Sequence, residues 1–333
     1  MHVTAVIVTY GDRHNYCVRV VDRCLAEGVD KILLLENGVS SSAQAVYARK
    51  AIDTSKVQVV NLGANRGSAG GIAAGVELLR DQGLEGMVLF LDDDNLLCQG
   101  AVDTLKETYF ATDNPDVRDP VLFCSRANEF PDDALALETG SPKRVKKNAF
   151  MGFDVADALR KRWIKNKQYT HGSSNLVAVD HGPWGGMFIS MERLRTAEAI
   201  QADFYLYGDD FWFTHNLALE GVPMKLVGEA SISDLASTYE GVTSFFSPDL
   251  PDLKAYYALR NYTYTSKHWA TSKWLLRLNR FVFLSYQLGR ELRVSWRRCP
   301  DILRRAGLIR AALNDGRAGR LGVSDLVAGD KTA

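Results

Sequence analysis

The stretch VLFLDDDNLL, Val88–Leu97, decides the fold. An apolar run suited to a buried strand ends in three consecutive aspartates, Asp92, Asp93 and Asp94. Adjacent carboxylates repel one another and lose hydration when buried. A core strand that runs straight into them points to a strand end with a chemical task.

The sequence around this stretch alternates short apolar runs with helical patterns. VTAVIVTYG is a β-branched run ending at Gly11, and NYCVRVVDRCLAEG has helical spacing that stops at Gly28. KILLLENG reads as a second strand, SSAQAVYARKAI as a helix opened by serine, and VQVVNLG as a third strand. GSAGGIAAGVELLRDQG opens a helix from a glycine-rich loop, and GMVLFLDDD is the fourth strand. This alternation predicts a mostly parallel sheet with helices on both faces, an α/β class. In such sheets ligands bind beyond the carboxyl ends of the strands, where Asp92–Asp94 fall.

Beyond the fourth strand, VLFCSRA, SNLVAVDHG, GGMFIS and MKLVGEASISDL read as further strands, and VADALRKRWIKN and GDDFWFTHNLALEG as helices. From Lys254 the pattern is helical and amphipathic to about Leu313. Gly, Ser and Pro between Tyr239 and Asp252 mark a boundary, giving a catalytic-type domain over 1–238 and a helical region over 239–333.

An acidic cluster at a strand end can hold Mg²⁺ or Mn²⁺, which take oxygen ligands and keep waters and substrate phosphates in their shell. The plainer alternative is a solvated loop or an acid-rich helix start. Asn61–Gly75, NLGANRGSAGGIAAG, lets backbone approach a ligand and places a helix N-terminus near an anion, or else packs a helix tightly on the sheet. It matches neither the dinucleotide nor the P-loop pattern. Asp209 and Asp210 in YLYGDDFWF offer a general base or simple helix capping. Trp184 in HGPWGGMFIS is either a sugar-stacking ring or a core residue. His171, His181 and His215 do not have zinc spacing.

The chain has 333 residues, 46% of them hydrophobic, with 40 basic and 40 acidic side chains. From Lys273 onward there are 13 Lys/Arg against 5 Asp/Glu, so an acidic body carries a basic tail. The acidic body argues against nucleic acid as a partner. Five scattered cysteines without a CxxC pair fit reduced thiols and a cytoplasmic location. No signal peptide or membrane-spanning run is expected. The aromatic and arginine-rich helices after Lys273 read either as a peripheral contact with an anionic leaflet on the inner face of a membrane, or as a helical cap or homo-oligomer interface.

Taken in order, these segments resemble glycosyltransferase family 2, which has the GT-A fold. AVIVTY resembles the opening strand, LLLENG the nucleotide-contacting segment, NLGANRGSAGG the donor loop, FLDDD the DXD motif, and YGDDFWFTHNLALEG the motif that carries the catalytic base. YYALRNYTY and IRAALNDGRAGRLG resemble segments of the rhamnosyl- and galactofuranosyltransferase branch. The resemblance implies donor contacts at Thr9, Glu36, Asn65, Gly70, Gly71, Asp92 and Asp93, and a Mn²⁺ or Mg²⁺ ion on Asp92 and Asp94. It implies acceptor contacts at Trp184, Gly185, Gly186 and Asp209, with Asp210 as base. Where relatives carry a metal-binding histidine, this chain has Asp234, another hard oxygen ligand.

The implied activity is an inverting, metal-dependent transfer of a sugar from a nucleotide diphosphate to a glycan or lipid-linked glycan, in cell-surface polysaccharide synthesis. A UDP-sugar donor carrying galactofuranose is favoured, and dTDP-rhamnose comes second. A nucleotidyltransferase is a poorer match, because VTYGDRHNY is a weak activation loop. A non-catalytic sugar- or nucleotide-binding homologue would keep much of the same pattern.

Overall fold

The computed structural model describes residues 1–112, 119–163, 174–236, 244–295 and 299–327. His171 and the last residues of VADALRKRWIKN lie outside them. Two compact units emerge, one of 1–144, 169–202 and 210–236, the other of 145–168, 203–209 and 237–333.

The first unit is built on a sheet. Its early elements are β1 (Val3–Gly11), α1 (His14–Ala26), β2 (Lys31–Val39), α2 (Ser41–Asp53), β3 (Val57–Asn61), α3 (Gly67–Asp81) and β4 (Met87–Asp92). They follow the alternation in the sequence. β5 (Asn95–Leu97), α4 (Ala101–Thr112), β6 (Val121–Ser125) and α5 (Pro131–Thr139) come next. In the second unit lies α6 (Val155–Trp163); the first resumes with β7 (Leu176–Ala178), β8 (Met187–Ser190) and α7 (Met191–Thr196). α8 (Asp209–Leu219) and β9 (Met224–Asp234) follow.

Among the described residues the strand order is β3-β2-β1-β4-β8-β6-β9-β5, with β7 also paired to β9. β3, β2, β1 and β4 are mutually parallel, and β6 is parallel to β9. β8 runs antiparallel between β4 and β6, so the sheet is mixed rather than wholly parallel.

Strand residues alternate between two buried faces. Val3, Ala5 and Ile7 of β1 and Met87, Leu89 and Leu91 of β4 meet Cys17, Val21 and Cys24 of α1 and Leu105 of α4. Val6, Val88 and Phe90 point the other way, to Ile72 and Val76 of α3, Leu194 of α7 and Phe213 of α8. Burial on both faces is why these strands read as continuous apolar runs. Truncating one of these side chains, such as fully buried Leu89, to alanine costs about 2–5 kcal/mol.

The second unit has its own core, with Phe150, Leu253, Tyr257, Ile309 and Leu313 at its centre. Its main helices are α9 (Asp252–Trp269), α10 (Lys273–Ser295) and α11 (Cys299–Ala318). Among the described residues no helix is long and apolar enough to cross a membrane.

Candidate active site

The three aspartates have three different environments. Asp92 is the last residue of β4, and its backbone N–H donates to Asn95 Oδ1 at 2.9 Å, which turns the chain into β5. Asp93 points inward and is 3% exposed. It accepts from Thr9 Oγ1 at 2.8 Å and from Arg13 Nε at 2.8 and 3.0 Å. Arg13 Nη2 donates to Asp94 Oδ2 at 2.6 Å. The guanidinium lies beside the rings of Tyr10 and Tyr16, 5.3 and 5.4 Å from their centroids. One arginine from the start of α1 therefore engages two of the three acids. Asp92 is left outward, its side chain 54% exposed.

A second arginine serves the outward acid. Arg126, just past β6, is 8% exposed. Its Nη2 donates to Asn95 Oδ1 and to the Gly185 carbonyl, both at 3.1 Å, and lies 3.9 Å from Asp92 Oδ2. Its Nη1 donates to Asp234 Oδ2 at 3.4 Å, while Asn95 Nδ2 donates to Asp234 Oδ1 at 2.8 Å. Burial, against the pull of Arg126, pushes the Asp234 carboxyl up to about 6. A Cβ on Gly185 would stand 2.1 Å from both Arg126 Nη2 and Asn95 Oδ1, so only glycine leaves room for this cluster.

Asp210 lies in the first turn of α8, half-buried, and Oδ1 accepts from the Phe211 N–H at 2.7 Å. Burial and then the nearby Asp92 charge push its carboxyl up to about 6, against that backbone bond and Arg126. An acid in this state titrates near neutrality, which suits proton transfer. Asp92 and Arg126 thus act electrostatically on both Asp210 and Asp234.

The remaining expected residues divide between support and site. Thr9 is fully buried, with its hydroxyl on Asp93 and near Tyr47 Oη. Glu36 is 4% exposed and accepts from Asn61 Nδ2 at 2.9 Å; burial raises its pKa. Asn65 caps the turn into α3 by accepting from the Gly67 N–H at 2.8 Å. Gly70 and Gly71 lie in the first turns of α3, and a Cβ on Gly71 would come 2.6 Å from Val8, so it packs the helix on β1. Trp184 is 5% exposed, packed near Phe90 and Phe213 with centroids 5.2 and 5.0 Å away. It packs into the core on the α3 and α8 side of the sheet. Gly186 closes the turn into β8, its N–H donating to the Phe90 carbonyl at 2.8 Å. Asp209 is buried and belongs to segment 203–209 of the second unit. Burial lowers His181 to about 4 and it packs edge-on against Phe211, a structural histidine.

Four residues of the site were not singled out from the sequence: Arg13, Asn37, Asn95 and Arg126. Buried Asn37 accepts from the Arg66 N–H at 2.8 Å and donates to the Gly67 carbonyl at 2.9 Å, fixing the glycine-rich loop. Its signal was its place beside Glu36. Asn95 had a comparable one, directly after the three acids.

Asp94, expected to share a metal with Asp92, is engaged by Arg13. Among the described residues no three acidic, histidine or cysteine side chains gather into a closed metal cage. Asp92 and Asp234 are engaged not by Arg13 but by Arg126, at 3.9 and 3.4 Å. Magnesium-like cations use one or two carboxylates with substrate phosphates and water, and Asp92 and Asp234 offer oxygen donors of that type.

No family model matches the chain, and no curated protein matches it by sequence. Solved structures match it by shape. GalNAc-T7 with UDP, GalNAc and Mn²⁺ is similar with a TM-score of 0.51 at 12% identity, over 80% of this chain and 48% of that one. This chain therefore spans about half the length of that relative. The mannosyltransferase PcManGT from Pyrobaculum calidifontis, in complex with GDP-Man and Mn²⁺, is similar with a TM-score of 0.52 at 12% identity, over 98% of this chain and 77% of that one. At these identities the likeness is one of fold, and the fold is that of the GT-A-type glycosyltransferases.

Proposed function

We propose that the protein is an inverting glycosyltransferase that moves a sugar from a nucleotide-diphosphate donor to an acceptor hydroxyl. The observation that carries this reading is the cluster of Asp92, Asp234, Asn95 and Arg126 beyond the end of β4, with Asp210, whose carboxyl burial raises, close enough to feel the Asp92 charge. One acid group handles the donor side and another is poised to take a proton. A module that only binds sugar or nucleotide has no use for the second.

In this reaction Asp210 accepts the proton of the acceptor hydroxyl as its oxygen attacks the anomeric carbon. The bond from that carbon to the diphosphate oxygen breaks, and its electron pair leaves with the nucleoside diphosphate. Asp92 and Asp234 would hold a Mn²⁺ or Mg²⁺ ion, whose charge offsets that of the departing diphosphate. Arg13 keeps Asp93 and Asp94 folded against the strand end, and Gly185 leaves room for Arg126 beside Asp92.

The donor we favour is a UDP-sugar, carrying galactofuranose, with dTDP-rhamnose second; the YYALRNYTY segment and the UDP bound to GalNAc-T7 support that order. The acceptor we favour is a glycan or lipid-linked glycan. The exposed side of α10 supports a lipid-side location: Trp274 is 67% and Phe281 69% exposed. The acid on that helix, Glu291, is buried and accepts from Ser244 Oγ, so the helix offers water only basic charge. That combination suits an anionic membrane surface.

Asp210→Asn tests the assignment. Turnover is expected to fall by about 10²-fold or more with nucleotide affinity unchanged. Near-normal turnover would remove Asp210 as the base.

A further inference from the structure

Arg126 is a cation fixed inside the acidic site. Its backbone N–H donates to Asp133 Oδ2 at 3.3 Å, and its guanidinium carbon lies 5.8 Å from the centre of the Phe130 ring. Asn95 and the Gly185 carbonyl take Nη2, and Asp234 takes Nη1. Nε has no hydrogen-bond partner among the described residues. The bare backbone of Gly185 walls the group in, because any side chain there would overlap Nη2. A buried guanidinium held on several sides does not swing away at low cost.

This placement bears on the two acids that would receive a metal. Arg126 reaches Asp92 at 3.9 Å and Asp234 at 3.4 Å, so one positive charge is shared between them. A divalent cation brought to the same pair meets weakened carboxylates and a fixed like charge. A nucleoside diphosphate carries the negative charge that reverses this balance.

We propose that Arg126 is a resident counter-ion that bars a divalent cation from the free protein, so that metal and nucleoside diphosphate bind as one unit. The proposal rests on the donor-site reading above. It makes Arg126 a positioning residue, which sets the order of binding through Asp92 and Asp234.

The test is Mn²⁺ binding to the full chain, read from the electron paramagnetic resonance signal of free Mn²⁺, with and without UDP, dTDP or GDP. In the wild type, Mn²⁺ is expected to bind at least about tenfold more tightly with nucleotide than without it. Arg126→Met, verified as folded by circular dichroism and melting, should bind Mn²⁺ alone at least about tenfold more tightly than the wild type. Arg126→Lys should keep the wild-type order, because it keeps the charge.

Equal Mn²⁺ affinity with and without nucleotide in the wild type overturns the proposal, whether or not the methionine variant folds. So does a folded Arg126→Met that binds Mn²⁺ no more tightly. The melting temperature with each nucleotide separates the two levels. If a nucleotide raises it but Mn²⁺ binding is not coupled, only the role of Arg126 falls. If no nucleotide raises it, with or without Mn²⁺, the donor-site reading falls and this proposal with it.

Discussion

The Thr9 hydroxyl donates to Asp93 Oδ2 at 2.8 Å, joining residues 84 apart in the chain. It ties the end of β1 to the turn after β4, and Arg13 closes the other side of the same carboxylate. The central acid of the cluster is therefore a structural one, and it frees Asp92 to face outward.

Removing Arg13 should expose this dependence. Arg13→Met leaves the buried Asp93 carboxylate without its cation, which costs roughly 3–5 kcal/mol where such a pair is fully buried and less here, since Arg13 keeps some exposure. The melting temperature should drop, and Arg13→Met combined with Asp93→Asn should recover part of the loss. A single variant that melts like the wild type would contradict the structural role of Asp93.

The pH profile should follow Asp210. A base works only when ionised, and burial raises this carboxyl to about 6. The kcat/KM of transfer, which reports the free protein, should be level above that pH and fall about tenfold per unit below it. Asp210→Glu should shift the acid limb. A rate that stays level down to pH 4 would exclude a base with this pKa.

The loop leading to Asp210 is held by Asn261. Its amide Nδ2 lies within 2.9 Å of the Phe204, Leu206 and Tyr207 carbonyls, and Arg260 Nη2 donates to the Asp203 and Phe204 carbonyls. Tyr205 and Tyr207 have φ of 62° and 65°, a conformation that costs non-glycine residues about 1–3 kcal/mol each. Asn261→Ala should lower the melting temperature, because three loop carbonyls lose their donor at once. A thermal melt checks it; an unchanged midpoint would mean that the loop does not depend on this clamp.

The α10 surface makes a separate prediction. Vesicles containing phosphatidylglycerol should pellet the wild type, and Trp274→Ser with Phe281→Ser should reduce the pelleted fraction several-fold. Neutral phosphatidylcholine vesicles should pellet neither. Equal pelleting of wild type and variant on anionic vesicles would dismiss the membrane face.

The first half of the sheet was readable from the chain because β1, β2 and β4 are buried on both faces and so appear as unbroken apolar runs. β5 was not, since three residues carry no periodicity, and the antiparallel run of β8 depends on a pairing that local sequence does not encode. At the site, the acids announced themselves by sitting at strand and helix ends. Their cations did not. Arg126 meets Asp92, Gly185 and Asp234 only because the topology brings β4, β6, β8 and β9 together. The burial of Trp184 was illegible for a related reason: an aromatic beside two glycines looks the same in sequence whether it lines a pocket or fills a core. Within YYALRNYTY, the sequence did not show that Arg260 and Asn261 would turn back onto the carbonyls of residues 203–207.

The most direct measurement is calorimetric titration of UDP, dTDP and GDP, with Mn²⁺ present, into the wild type, Asp92→Asn and Asp210→Asn. A nucleotide should bind the wild type and Asp210→Asn alike and bind Asp92→Asn at least about tenfold more weakly. Binding by none of the three nucleotides, or equal binding to Asp92→Asn, would contradict a donor site at the end of β4.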